Sequence, residues 1–131
     1  MSIFSKIIAG EIPSYKIAEN ELFYAFLDVF PMVEGHVLVV PKQEVDYFLD
    51  MPEQSLSEIL LFAKPIAAAI QKAFPCKRVG LSVIGLEVPH AHLHLVPIQN
   101  SDDLNFTRPK LTVEPEQLKA AQEKILAHLH G

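Results

Sequence analysis

The chain is expected to fold as an α+β domain, with helices packed on an antiparallel sheet of about five strands, and three observations lead there. Helical and strand periodicities follow one another as helix, strands, helix, strands, helix. The links between strands are of hairpin length, which favours antiparallel pairing over crossover units. Neither a P-loop nor a GxGxxG fingerprint occurs to argue for a parallel nucleotide-binding sheet. At 131 residues, half of them hydrophobic and 21% charged, the chain suits one domain over residues 1–131 whose core needs no disulfide or metal staple.

Residues 2–10 read as a short helix that Ser2 is placed to cap and Gly10 to stop, with Pro13 in the connector beyond. Residues 14–18 and 22–27 are two strands joined through Glu19-Asn20-Glu21, hence a hairpin, and Asp28 stands where the second strand ends. After a loop over residues 31–35, His36-Val37-Leu38-Val39-Val40-Pro41 is a β-branched run closed by proline, the pattern of a buried central strand. Residues 52–74 carry the clearest helical signal. Leu56, Ile59, Leu60, Ala63, Ile66, Ala67, Ile70 and Phe74 keep the three-and-four spacing of one apolar face. Ser55 and Glu58 offer a capping box that would move its start, and Pro65, which has no N–H, predicts a kink or a break into two pieces. Residues 79–84 and 91–98 are two further strands linked by a short turn at Gly85-Leu86. Residues 115–129 form a last helix through Leu118, Ala121, Ile125 and Leu129, with Pro115 tolerated in its first turn.

Function is concentrated in residues 88–97, where three of the six histidines alternate with apolar residues. Side chains two apart on a strand share a face, so His90, His92 and His94 line one side while Ala91, Leu93 and Leu95 face the other. An imidazole titrates near about 6.5, so such a cluster supplies a lone pair, an N–H donor or a metal ligand at neutral pH. A single histidine on a strand is more often a packed residue. Three in alternation multiply the demand for buried hydrogen-bond partners, which makes chemistry the better explanation.

A net charge of −5 argues against broad nucleic-acid binding, which rests on neutralising many phosphates with Lys and Arg. A small anionic ligand held by backbone amides, histidines and one or two cations remains compatible with it. No apolar stretch approaches the ~20 residues of a membrane span, no segment of signal type follows Met1, and the lone Cys76 has no internal partner. A cytoplasmic protein with no membrane partner is expected.

Two separated blocks resemble the histidine-triad, or HIT, superfamily of nucleotide hydrolases and transferases. His90-Ala91-His92-Leu93-His94-Leu95-Val96 fits the signature in which three histidines alternate with apolar residues. Upstream, Phe26-Leu27-Asp28 followed by Gly35-His36-Val37-Leu38-Val39-Val40-Pro41-Lys42 is similar to the family's other recurring block, and residues 3–13 look like the start of a bacterial member. The resemblance covers residues 2 to about 98. It implies a HIT-like fold with one long central helix between a short N-terminal and a C-terminal helix. It also implies a purine nucleotide or nucleotide conjugate bound at the sheet, with no cofactor. The α-phosphate would be attacked by His92, through a nucleotidyl-histidine intermediate that water then cleaves. The His90 carbonyl would orient His92. His94, with His36 beside it, would contact the phosphate or departing atom and move a proton. Asp28 matches the ribose ligand, its alternative being a turn aspartate. Phe4, Ile7 and Phe26 would flank the base unless they are simply core. A nucleoside phosphoramidate or a dinucleoside polyphosphate is the implied substrate type, and a homodimer using the helix of residues 59–74 the implied assembly.

The chain also departs from the family. Many bacterial relatives hold a structural zinc with two N-terminal cysteines, a histidine after the Pro-Lys pair and the first triad histidine. Here Ser2, Ser5 and Glu44 stand in three of those places, so a Cys2His2 zinc site is excluded by ligand identity. The link before the triad is only Ile84-Gly85-Leu86-Glu87-Val88-Pro89, and Glu87 stands where relatives carry a neutral polar residue. A carboxylate there repels phosphate unless turned away or protonated, or else meets a cationic leaving group. The C-terminal part shows no motif, and His128 and His130 suit the last turn of a helix rather than catalysis. Two rivals remain: a metal enzyme using His90, His92, His94 and Glu87, and a nucleotide-binding module with little turnover.

Overall fold

The computed structural model describes residues 1–130 apart from the side chain of His130; Gly131, the last residue of the expected domain, and the His130 side chain lie outside the described residues. The chain runs α1 (Ile3–Ile8), β1 (Lys16–Glu19), β2 (Phe23–Leu27), β3 (Val37–Pro41), α2 (Glu53–Ala73), β4 (Arg78–Ser82), β5 (Leu93–Ile98) and α3 (Pro115–His130). All five strands pair antiparallel in the order β1-β2-β3-β5-β4, as an α+β arrangement requires. The β1–β2 hairpin closes across Asn20, whose side chain accepts from the N–H groups of Leu22 and Phe23.

The sheet has two unlike faces, and strand alternation decides which residue meets which. Phe23, Ala25, Leu27, Val37, Val39, Leu93 and Leu95 point to the face covered by α2 and α3, where they pack with Ile59, Ala63, Ile66, Ile70, Leu118, Ala121 and Ile125. Tyr24, Phe26, Leu38 and Val40 point to the opposite face and meet only Phe4, with Ile7, Ile8 and Val88 at the edge. The second face is thus covered over one end by α1 and left open over the other. His36 and His94 fall on this side by the same alternation, whereas His90 and His92 lie ahead of β5 and are held by their own hydrogen bonds.

Ser2 caps α1 as its sequence implies, its Oγ accepting from the Ser5 N–H at 3.0 Å. Other expectations need correction. The long helix begins after Pro52 with no side-chain cap, so Ser55 and Glu58 form no capping box, and Ser55 is buried instead. It runs unbroken through Pro65. That residue lies on the exposed side, and the helix tolerates it. Leu60, assigned to the apolar face by spacing, is 56% exposed; Ile59 takes the inward position.

The largest difference lies before the triad. The strand expected from residue 91 starts at Leu93, and residues 83–92 form a long irregular connection rather than a short turn. Pro41 explains it. Lys42 N–H bonds Leu22 O on the β2 side, so Pro41 faces β5 with no N–H to offer, and the β3–β5 ladder stops at Val39↔Leu93. Ala91 N–H turns away to the Val45 carbonyl.

Candidate active site

A left-handed glycine aims the first of the site histidines. Gly35 has φ +95°, and a Cβ added there would lie 2.7 Å from Cδ2 of the Phe74 ring, so only glycine brings the loop tightly onto α2 before β3 begins. His36 follows at 1% exposure. Its Nδ1 accepts from the Met32 backbone N–H at 3.0 Å, and its Nε2 lies 2.9 Å from His94 Nδ1. A backbone amide always donates, so His36 Nδ1 is unprotonated and Nε2 carries the hydrogen. His94 Nδ1 must then accept, which leaves His94 with its N–H at Nε2. Burial drives the pKa of both imidazoles from 6.5 down to about 3, with the charges of His92 and Lys110 adding to it at both and that of His94 at His36, so both are neutral.

The other pair is polarised the opposite way. His90 Nε2 lies 2.8 Å from the Pro41 carbonyl, so it donates there, and His90 Nδ1 accepts from the Ser2 hydroxyl at 2.7 Å. Burial lowers the His90 pKa as well. His92 Nδ1 is 2.7 Å from the His90 carbonyl and must donate to it. Its Nε2 therefore holds a lone pair, with no protein partner among the described residues.

His92 and His94 face an open cleft of about 690 Å³ lined also by Phe4, Ile7, Phe26 and Asp28. His36 and His90 do not line it; each stands behind the histidine it orients. Asp28 serves two ends at once. Oδ1 accepts from Phe30 N–H at 2.9 Å, as a turn aspartate would, while Oδ2 lies 3.8 Å from His36 Nε2 and burial raises its pKa. Phe4 packs edge-on against Phe26, His90 and His92 at 5.5, 5.7 and 5.2 Å between ring centres. Glu87 sits on the rim of the cleft, 82% exposed, its Oε2 3.5 Å from Lys110 Nζ, and close enough to Asp28 for its charge to raise the pKa of that carboxyl.

Two contributions were not legible beforehand. The segment after β5 crosses the site: Leu111 N–H bonds Pro31 O at 2.9 Å, Phe106 stacks on His94 at 4.6 Å, and Lys110 reaches the cleft. No periodic signal marks these residues. The second is the hydrogen bonding at the N-terminal end of α1, where Ser2, Ser5, Glu44 and His90 converge as their correspondence to zinc-ligand positions implies. Glu44 Oε1 accepts from Ser2 N–H and Ser5 Oγ, each at 2.6 Å. These donors hold its carboxyl well below the usual range, at about 2. This set does not fit a structural zinc: two hydroxyls replace thiolates, and the carboxylate and imidazole are already engaged in hydrogen bonds.

The donor geometry also weighs on metal catalysis. His90 has both nitrogens engaged, so it does not join His92, His94 and Glu87 in a shared ligand set. Asp28, His36 and His94 present ligand atoms within 4.8 Å of one another. The 2.9 Å between the two imidazole nitrogens is a hydrogen-bond distance. Two nitrogens at ~2.0–2.1 Å from a tetrahedral ion would stand roughly 3.3 Å apart.

The chain matches the HIT domain over residues 9–101. It is 34% identical over 131 residues to adenosine 5'-monophosphoramidase HNT1 of Saccharomyces cerevisiae, covering 98% of this chain and 83% of that one. Among solved structures, a HIT-like protein involved in cell-cycle regulation from Bartonella henselae superposes with a TM-score of 0.83 at 29% identity, over 97% of this chain and 95% of that one. A zinc-bound histidine triad family protein from Mycobacterium smegmatis superposes with a TM-score of 0.81 at 25% identity, over 98% and 92%.

Proposed function

The chain belongs to the HIT family, and from that premise and the polarity of its histidines we propose that it is a nucleotide hydrolase cleaving at the α-phosphate of a nucleoside phosphoramidate or related conjugate. The observation that carries this reading is the 2.7 Å contact between His92 Nδ1 and the His90 carbonyl, which leaves Nε2 as a bare lone pair at the cleft. His92 Nε2 adds to the α-phosphorus, and the bond to the leaving group breaks with its electron pair going to that group. Water then attacks the phosphorus of the nucleotidyl-histidine, the electrons of the P–N bond return to His92, and the nucleoside monophosphate departs.

His94 Nε2–H points its hydrogen at the reacting centre. Both His94 and His36 are neutral in the free protein, so His94 Nε2–H donates a hydrogen bond to the departing atom, and the extra proton that an amine carries away enters with the substrate or from the open cleft. His36 fixes the His94 ring and tautomer from behind. Asp28 Oδ2 is free to accept from a ribose hydroxyl, and Phe4, Ile7 and Phe26 form an apolar slot suited to a purine.

Around this centre we place a single domain over residues 1–131, acting in the cytoplasm; no helix among the described residues is long and apolar enough to cross a membrane. The same reading has it as a homodimer, supported by Leu60 and Leu61 standing exposed on α2; sedimentation of native chain beside a Leu61→Glu variant checks this. The decisive experiment is release of AMP from adenosine 5'-phosphoramidate in the presence of EDTA. Chelator-resistant release by the native chain that disappears in His92→Ala supports the mechanism. Activity persisting in His92→Ala sinks the nucleophile assignment.

A further inference from the structure

The rings along the cleft stand in a row. Phe4 to His92 is 5.2 Å between centres, His92 to His94 is 4.9 Å and His94 to Phe106 is 4.6 Å. The site therefore has an axis, from the apolar slot at α1 through the lone pair of His92 and the N–H of His94 to the segment that crosses behind Phe106. If the base occupies the first end and the α-phosphorus the middle, whatever is attached beyond the phosphorus points at the second end.

That end carries a charge. Lys110 is the only lysine or arginine lining the cleft among the described residues. Its backbone is pinned on both sides, by Leu111 N–H on Pro31 O and by Arg108, which reaches the Met32 carbonyl at 3.4 Å and pairs with Asp102 at 2.9 Å. The ammonium lies close enough to Asp28, His36 and His94 to lower the pKa of each. Its partner in the free protein is Glu87 at 3.5 Å, a long contact to a carboxylate that is 82% exposed, and such a pair holds weakly.

We infer that Lys110 is a specificity-determining residue that receives a leaving group bearing phosphate charge, and that Glu87 is the counter-ion it releases when such a substrate binds. The chemistry of departure separates two kinds of substrate. A departing amine needs a hydrogen-bond donor at its nitrogen as the bond to phosphorus breaks, which His94 Nε2–H is. A phosphate oxygen departs as an anion and needs charge neutralised, which a proton donor alone does not do and an ammonium does. A phosphate offers Lys110 more charge and more acceptor oxygens than Glu87 does, and Glu87 returns to water at little cost because it is already mostly solvated.

This rests on the nucleotide-hydrolase reading above, and the test separates the two. The probes are adenosine 5'-phosphoramidate, whose leaving group is ammonia, and diadenosine triphosphate, whose leaving group is ADP. Lys110→Met keeps the stem and removes the charge. The ratio of kcat/KM for the triphosphate to that for the phosphoramidate should fall about tenfold in this variant and rise about threefold in Glu87→Gln. In the double variant the Glu87 effect should vanish, since the pair it belongs to is gone. An equal loss with both substrates would put Lys110 on the α-phosphate and overturn the assignment, as would no change in either. Calorimetric affinities for ADP and AMP supply a readout free of turnover: Lys110→Met should weaken ADP more than AMP. If the native chain cleaves neither probe, the hydrolase reading fails, and these affinities alone uphold or overturn the role of Lys110.

Discussion

The two buried histidine pairs are polarised in opposite senses. In one, the chain of hydrogen bonds ends on carbonyl oxygens, Pro41 O for His90 and His90 O for His92, so each ring must donate and His92 is left with a lone pair facing the cleft. In the other, the chain begins at a backbone amide, Met32 N–H, so His36 must accept, His94 must accept in turn, and an N–H is left facing the cleft. An imidazole has no fixed polarity of its own. A backbone group decides which front histidine attacks and which donates, the His90 carbonyl directly for His92 and the Met32 N–H through the His36 ring for His94, and neither group lines the cleft.

Breaking the front member of each pair gives the largest effects. His92→Ala removes the attacking atom and should lower kcat for AMP release by on the order of 10⁴-fold or more. His94→Ala removes only the donor, so a loss of about 10²- to 10³-fold is expected, smaller for substrates whose leaving group needs no proton. The comparison sharpens at the rear members. His36→Leu leaves Met32 N–H without its acceptor and frees the His94 tautomer, so it should destabilise the fold by about 1–3 kcal/mol and lower kcat more than it raises KM. His36→Gln, which offers both an acceptor and a donor, should restore part of each in urea melts and steady-state rates.

Acid tests the same pair without mutation. Folded His36 and His94 stay neutral to about pH 3 while the unfolded chain protonates near 6.5, so the unfolded state binds more protons throughout that window and stability falls as pH falls. Between pH 6.5 and 5 each contributes a loss of about 2 kcal/mol, readable as a drop in the denaturant midpoint. A midpoint that stayed flat over that range would mean that neither imidazole is held neutral. Ser2→Ala is the mildest change. It removes the donor to His90 Nδ1 but leaves the Pro41 and His92 contacts in place, so a loss of about 1–2 kcal/mol with kcat altered severalfold at most is expected.

Much of this was readable in the sequence because alternation carries it. The five strands and the long helix follow from periods of two and of three to four residues, whereas of the three triad histidines only His94 lies in a strand and His90 stands behind His92 instead of beside it on the cleft. The placing of Asp28 and His36 beside the triad came from resemblance, as did the orienting of His92 by the His90 carbonyl, whereas the polarity of His36 and His94 did not come at all, since it depends on the Met32 backbone N–H, which no side-chain pattern reports. Leu60 was misplaced because a helix with apolar residues at both 59 and 60 does not say which one faces inward. Phe106 and Lys110 were missed because the segment that brings them to the cleft has no period, and its course is set by hydrogen bonds to a loop more than seventy residues away, as in Arg108 on Met32. Glu87, read as a hazard to phosphate, has its partner in that same segment.

Pro41 reaches beyond the strand it ends. In a regular strand the carbonyls lie within the sheet and belong to the neighbouring strand, while side chains stand out of it. By withholding one N–H, Pro41 ends the ladder on the β3 side, and on the other side β4 ends at Ser82 opposite His94, so no neighbouring strand claims the carbonyl of His90 and it meets the ring two residues on. A protein engineer who replaced this proline to lengthen the sheet would be adding order in a place where the chemistry depends on its lack.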